Sequence, residues 1–403
     1  GVSVSPPTDP RLRVARVITR LNIGGPSIQA LSLGPTLANR GFDTLLLHGT
    51  LGEAEGDMTT LLAVGEGEVE RVPALQRELS VSKDLRALWQ IYRALRRHRP
   101  HVVHTHMAKA GTVGRLAGVI YNATRGAAPR ARLLHTYHGH VFEGYFGSIT
   151  SRVFMAIERW IGHRSDAIVA ISPQIQRDVV TTFGIADARR THLVPLGFDL
   201  DRFFAVNVET RMRARQLLQL PSDALVVTTV GRLTPIKHHE LFLDMAARLA
   251  PRHPRLVCLL VGDGESRQAL ERQVEIAGLR THVRFLGWRG DLDVVYGATD
   301  VFVLTSKNEG TPVALIEAMA SGVPAVSTDV GGVRDVLVDA QAGTLVPSGD
   351  AAALAEAVDH FVGSPERRRR AGDAARTCVR ARYDLSRLAD DLEHLYRSLV
   401  RAE

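Results

Sequence analysis

Residues 300–328 spell out a strand, a turn, a helix and a second strand with almost no spare letters. The run 300–304 (D-V-F-V-L) is short, branched and apolar, as a buried strand is. Residues 313–320 are good helix formers, Gly322 and Pro324 close that helix, and 325–328 (A-V-S-T) reads as strand again. A helix between two such strands makes them members of one α/β layer. The chain opens in the same order. Residues 11–19 alternate and read as a strand, 21–26 (L-N-I-G-G-P) as a tight glycine loop, 27–39 as a helix closed by Gly41, and 43–48 as the next strand. The pattern restarts with a strand at 224–230, and 403 residues suffice for two or three domains at about 150 residues each. The expected architecture is α/β, two Rossmann-like doubly wound domains.

The turn at 305–312 carries chemistry. Thr311 is placed to cap the helix, Pro312 to occupy its first position, and Gly310 to turn the chain out of the strand. The first helical turn then offers free N–H groups on Val313 and Ala314 and a positive dipole end, which together make an anion site. Two carboxylates flank it, Glu309 in the loop and Glu317 on the helix. A carboxylate beside a phosphate repels it, whereas carboxylates on either side of one accept hydrogen bonds from sugar hydroxyls. The ligand that fits has hydroxyls at both ends and phosphate in the middle, a sugar nucleotide. Solvated surface charge is the plain alternative, but Glu317 sits among Leu315, Ile316, Ala318 and Met319, on a helix too apolar to lie in water. Arg232 and Lys237 follow the strand 224–230 and precede a helix at 239–250. Two cations at one strand end match a diphosphate, each charge-assisted bond contributing about 1.5–3 kcal/mol.

In the first half, Gly24 and Gly25 allow backbone to approach a ligand, or simply make a turn. His104 and His106 end a strand at 101–107, and His138 and His140 follow another at 133–137. No carboxylate or cysteine completes a metal set at the usual spacing, and neutral imidazoles suit hydroxyl and phosphate contacts. The arginine-rich helix 84–99 presents Leu85, Leu88, Ile91, Tyr92 and Leu95 as its apolar face. The preferred reading is a flank of the α/β layer with solvated arginines; contact with an anionic membrane surface is the alternative. The D-x-D triplets at 199–201 and 291–293 read as linker and helix start rather than metal sites.

The net charge of +7 favours anionic partners. Aromatic content of 5% and the lack of a stacking motif exclude nucleic acid, and the missing G-x-G-x-x-G argues against a dinucleotide cofactor. The two cysteines, Cys258 and Cys378, suggest no disulfide framework, so a reducing cytoplasm is the expected compartment. No apolar run approaches the ~18 residues of a membrane span. Residues 1–10 read as a flexible lead.

The pair Glu309 and Glu317, followed by A-M-A-S-G-V-P-A-V-S-T-D-V-G-G, resembles the paired-glutamate signature of family-4 retaining glycosyltransferases. The G-R-L-x-x-x-K ending in Lys237 matches the same family, and H-T-H-M-A-K-A-G and H-T-Y-H-G-H look like its members acting on lipid-linked or polysaccharide acceptors. The resemblance implies a GT-B fold with an interdomain cleft. Residues 11–198 would form an acceptor domain, 199–222 a linker, 223–382 a donor domain, and 383–403 a helix crossing back to the first domain. It implies a hexosyltransferase using a nucleotide-sugar donor, with UDP the commoner carrier, needing neither metal nor cofactor. Arg232, Lys237 and the amides of 311–314 would take the leaving diphosphate's charge. Glu309 would hold the donor sugar, Glu317 the ribose, and His138 the sugar near its reacting carbon. The base would lie near Gly262 and 287–289, where Trp288 either stacks on it or packs in the core. Gly24, Gly25, Gly310, Thr311 and Val313 would line the donor, and His106 and Lys109 the acceptor. The expected location is cytoplasmic, with peripheral contact at the inner face of a membrane as the alternative. A sugar-nucleotide epimerase of the same architecture is the alternative, separable by incubation with donor alone.

Overall fold

The computed structural model describes residues 10–20, 25–49, 68–139 and 148–402. The chain divides into two compact units, Gly1–Phe198 with Leu385–Glu403, and Asp199–Asp384.

In chain order the first unit contains β1 (Leu12–Ile18), α1 (Gly25–Ala38), β2 (Phe42–His48), β3 (Glu68–Arg71), α2 (Val81–His98), β4 (Val102–His106), α3 (Ala108–Thr124), β5 (Arg132–Tyr137), α4 (Ser148–His163), β6 (Ala167–Ala170), α5 (Pro173–Arg177) and β7 (Thr191–Leu193). Its seven strands are all parallel, in the order β3-β2-β1-β4-β5-β6-β7. Strand β3 had no forecast, since E-V-E-R at a sheet edge buries too little to show a pattern.

The second unit contains α6 (Asp201–Phe204), α7 (Val208–Leu217), β8 (Leu225–Val230), α8 (His239–Leu249), β9 (Leu256–Val261), α9 (Arg267–Ile276), β10 (Val283–Gly287), α10 (Leu292–Gly297), β11 (Val301–Leu304), α11 (Val313–Ala320), β12 (Ala325–Thr328), α12 (Val333–Val336), β13 (Gly343–Val346), α13 (Ala351–Val362) and α14 (Pro365–Tyr383). Its six parallel strands run β10-β9-β8-β11-β12-β13. Residues 199–222, expected to be a linker, belong to this unit. Asn207 and Thr210 form a capping box that starts α7, and Ala214, Leu218 and Leu220 pack into a core shared with Val226 and Leu259.

The last helix, α15 (Leu385–Arg401), starts two residues later than expected. Asp384 takes ψ 144°, which ends α14 and redirects the chain into the first unit. There the pleat sorts the side chains. Ala15, Val17, Val103 and Leu133 face α2 and α3, while Val14, Val102 and Leu134 face α1 and α15. Leu388, Leu392, Leu395 and Tyr396 are the buried stripe of α15.

Helix α2 buries most of the expected face: Ile91 and Leu95 are buried, and Leu88 and Tyr92 pack against the same core. Ala87, Ile91, Ala94 and Leu95 are its buried residues, and Leu85 is exposed. The two small alanines let the helix sit close to the sheet between these larger side chains.

Candidate active site

Open α/β sheets bind ligands at the carboxyl ends of their strands, where the strand order reverses. In the second sheet that point lies between β8 and β11, and both strands run into candidate residues. Strand β8 continues into Gly231 and Arg232, then a 3-10 turn, Pro235–Lys237, ending at His238 in left-handed conformation (φ 51°, ψ 49°). Strand β11 continues into the loop 305–310. The two loops are stitched together, with Thr305 Oγ1 donating to the Lys237 carbonyl at 2.8 Å and the Lys307 N–H to that of Ile236 at 2.9 Å. A third loop braces them from behind, as the Gly332 N–H donates to the Glu309 carbonyl at 3.1 Å. Gly331 has φ 50°, and a Cβ there would stand 1.9 Å from the Glu309 carbonyl oxygen, so only glycine fits. Gly310 is not the steric hinge it was expected to be. It is not among the glycines of positive φ, and a Cβ there would meet nothing within 4 Å.

This stitching closes an ion pair. Lys237 Nζ donates to Glu309 Oε1 at 2.7 Å, and Ser306 Oγ donates to the same oxygen at 2.6 Å. The side chains are 24% and 9% exposed. Arg232 is exposed, and its side chain makes no hydrogen bond or ion pair among the described residues. Helix α11 is capped by Pro312, not Thr311. Pro312 takes ψ 90°, outside the helical range, so the helix begins at Val313, and among the described residues no side chain bonds its first amides. Glu317 lies on this helix, and the Tyr296 hydroxyl donates to its Oε1 at 3.3 Å. Burial pushes the Glu317 carboxyl up to about 7; Arg202 and the tyrosine bond pull down without cancelling it.

Around them, Gly262 has φ 137°, and a Cβ would stand 2.0 Å from the Gly231 carbonyl, so this glycine lets the ends of β8 and β9 touch. Trp288 is 73% exposed, which removes the core-packing reading. Arg289 beside it is held by both Asp291 oxygens, at 2.9 and 2.8 Å.

In the first unit the histidines are split by the pleat. His104 and His106, on the α15 side of β4, stack with ring centroids 4.2 Å apart. His104 Nδ1 meets the Tyr396 hydroxyl at 2.5 Å and its Nε2 meets Thr136 Oγ1 at 2.6 Å. His106 Nδ1 lies 2.8 Å from His138 Nε2. His135 turns to the α3 side, bonded to Thr105 Oγ1 at 2.7 Å. Burial holds His104, His106 and His135 well below the ordinary imidazole value, and His138 down to about 4, so all four rings are neutral at pH 7. Among the described residues no histidine, cysteine and carboxylate group has the arrangement to hold a metal ion. Lys109 does not present its charge to a ligand. Its Nζ is bonded to both Asp84 oxygens, at 2.7 and 2.8 Å, and to the Glu78 carbonyl, which pins the start of α2. Gly25 begins α1, and Gly24 lies outside the described residues.

The profile for Glycosyltransferase Family 4 matches residues 23–202, and that for Glycosyl transferases group 1 matches residues 211–377. The D-inositol 3-phosphate glycosyltransferase of Actinosynnema mirum is 32% identical over 68% of this chain and 68% of its own length. The chain belongs to the family-4 glycosyltransferases. This glycosyltransferase is also 29% identical to the UDP-Gal:alpha-D-GlcNAc-diphosphoundecaprenol alpha-1,3-galactosyltransferase of Escherichia coli, over 65% of the chain and 66% of that relative. Its fold matches that of Anabaena Alr3699/HepE, solved with UDP, at a TM-score of 0.79 over 96% of this chain and 100% of the other, with 21% identity. The two units are the two Rossmann-like domains of the GT-B architecture. Both profiles and both relatives are transferases by name, and nothing in them favours the epimerase.

Sequence reasoning missed Ser306, Tyr296 and the brace at Gly331. Only the glycine pair at 331–332 carried a signal, and it read as an ordinary turn.

Proposed function

We propose that this protein is a retaining, metal-independent hexosyltransferase that moves a sugar from a UDP-sugar to a glycan, lipid-linked or small-molecule acceptor in polysaccharide or glycoconjugate synthesis. The observation that carries this reading is the Lys237–Glu309 pair at the reversal point of the second sheet, with Arg232 and the bare amides of α11 at the same edge. These are three sources of positive charge and one carboxylate, in the proportions a diphosphate joined to a hydroxyl-rich sugar requires. Arg232, Lys237 and the amides receive the charge that develops on the leaving diphosphate, which is electrostatic catalysis. Glu309 accepts from the sugar hydroxyls and Glu317 from the ribose, Trp288 stacks on the base, and His138 touches the sugar near its reacting carbon. The acceptor hydroxyl bonds to the anomeric carbon as the carbon–phosphate-oxygen bond breaks, and its proton passes to the departing phosphate oxygen. Glu309 is already bonded to Lys237 and Ser306, which supports a front-face path over a covalent glycosyl-carboxylate.

A thermal-shift screen of nucleoside diphosphates and sugar nucleotides, with and without EDTA, tests the donor assignment, since a ligand of the native state raises its stability. UDP and a UDP-sugar should raise Tm equally in both conditions, and NMR of the product should show the donor's anomeric configuration. No shift with any uridine nucleotide, or an inverted product, refutes it.

No helix among the described residues is long and apolar enough to cross a membrane. The layer of α2, α3 and α4 nonetheless leaves Leu79, Val81, Leu85 and Trp89 on one side and Ile149, Val153, Ile157 and Trp160 on the other exposed. Lys83, Arg86, Arg93 and Arg152 stand exposed among them. Apolar anchors ringed by cations suit an anionic lipid surface. Cosedimentation with phosphatidylglycerol vesicles should be lost in Leu85→Ser/Trp89→Ser and in high salt; binding that survives both changes counts against this contact.

A further inference from the structure

We propose that His106 is a positioning residue that fixes the tautomer of His138, so that His138 presents an Nδ1–H donor to an oxygen of the bound sugar. The inference rests on the reading that His138 meets the sugar and adds which of its nitrogens does so, and in which protonation state.

The argument begins with the 2.8 Å contact between His106 Nδ1 and His138 Nε2. Two ring nitrogens at that distance share one proton, since two lone pairs or two N–H groups would repel. Both rings are neutral, so only two arrangements exist. Either both carry hydrogen on Nε2, and His138 donates to His106, or both carry it on Nδ1, and His106 donates to His138. Each leaves one N–H and one lone pair at the outer ends of the pair. Those ends, His106 Nε2 and His138 Nδ1, are buried and have no partner among the described residues.

The surroundings choose between them. A buried N–H without an acceptor is rarer and more costly than an unsatisfied lone pair. Both end nitrogens are buried, but His106 as a residue is 4% exposed and His138 is half-buried, so an incoming oxygen reaches the His138 end more readily than the His106 end. Arg16, 1% exposed, stands on β1 opposite His104 in the strand register, and Ile18 stands opposite His106. Its guanidinium therefore lies on the face that His104 and His106 share, and a positive charge there favours a lone pair over an N–H on His106. Both considerations put the lone pair at His106 Nε2 and the hydrogen at Nδ1. The donated bond then leaves His138 Nε2 as acceptor and Nδ1 as N–H. The stack of His106 on His104, itself held at both nitrogens by Tyr396 and Thr136, keeps the donor ring from rotating.

Long-range 15N NMR of histidine-labelled full-length protein reads the tautomer directly and needs no substrate. The wild type should show His138 protonated on Nδ1. His106→Asn places an amide nitrogen where Nδ1 sits and should keep that state; His106→Leu should shift His138 towards Nε2–H or a mixture. With the sugar nucleotide that gives the largest shift in the thermal screen, His106→Leu should lower kcat about tenfold with donor KM unchanged, as loss of one well-placed hydrogen bond would. His106→Asn should stay within about threefold of wild type, since it restores that bond. An Nε2–H tautomer of His138 in the wild type overturns the proposal, as does an unchanged Nδ1–H tautomer in His106→Leu. If the leucine variant does not fold, the wild-type and asparagine spectra still decide. Unchanged turnover in His138→Ala would instead sink the sugar-contact reading and leave the tautomer result standing.

Discussion

Glu309→Gln should make the protein bind UDP more tightly while making it a poorer catalyst. Lys237 is bonded to Glu309 at 2.7 Å. An ammonium has three protons, so Lys237 can reach a phosphate without leaving Glu309. A second charge-assisted bond of about 2.8 Å then sets carboxylate and phosphate oxygens about 5 Å apart. Two like charges at that distance repel by roughly 3 kcal/mol at an effective dielectric of 20. Partial exposure of Lys237 screens this to about half, or roughly tenfold in Kd. Glutamine removes the charge and keeps an oxygen to accept from Ser306. UDP carries no sugar whose hydroxyls would miss the carboxylate, so it should gain the full factor. A UDP-sugar should gain less, and its turnover should fall. Isothermal titration with UDP at low and high salt measures the effect, and the gain should shrink with salt. In the companion variant Lys237→Ala, turnover should fall about a hundredfold or more, as loss of a transition-state donor does. UDP binding to Glu309→Gln that is unchanged or weaker would show that the carboxylate does not oppose the diphosphate, and the reasoning fails.

Four further outcomes follow from the buried groups. Glu317 titrates near 7, so UDP affinity should drop as pH falls through that value and the carboxylate stops accepting from the ribose; Glu317→Gln should flatten the dependence, and a steep profile in that variant contradicts the assignment. The same raised value makes the Glu317 contribution to folding greatest in acid and lost as pH rises through about 7. His104, His106, His135 and His138 act in the opposite sense: unfolded imidazoles take up protons below about 6.5 that the native ones refuse, so stability should fall by about 1.4 kcal/mol per pH unit per ring. A melting temperature flat between pH 7 and 5.5 would contradict this. Lys109→Ala should lower the urea-unfolding stability by about 1.5–3 kcal/mol and leave the acceptor KM untouched, because its partner is Asp84; a raised acceptor KM with normal stability would reverse that reading.

The candidate residues at the ends of β8 and β11 could be picked out one by one, because strand ends, helix starts and charge types are local properties. Their wiring could not. Lys237 and Glu309 stand 72 residues apart and meet only because β8 and β11 are neighbours, a fact of strand order that no local pattern encodes. Lys109 misled for the same reason, since Asp84 lies 25 residues upstream on another helix. The linker expected at 199–222 came from the family resemblance, and the Asn207–Thr210 box that starts α7 within it went unread. The face of α2 was legible from its periodicity except at Leu85, which is exposed, while the sheet also accepts Ala87 and Ala94. The histidines could be counted but not paired, since Tyr396 arrives from the far end of the chain.

That late arrival matters during synthesis. Val14, Phe42, Val102 and Leu134 wait for Leu388, Leu392 and Tyr396 to cover them, and nearly two hundred residues must first be translated. The ribosome therefore releases a first unit with one greasy flank bare while the second can already close. Such nascent chains are natural clients for chaperones, and truncation ahead of Leu385 should yield aggregates rather than a smaller working domain.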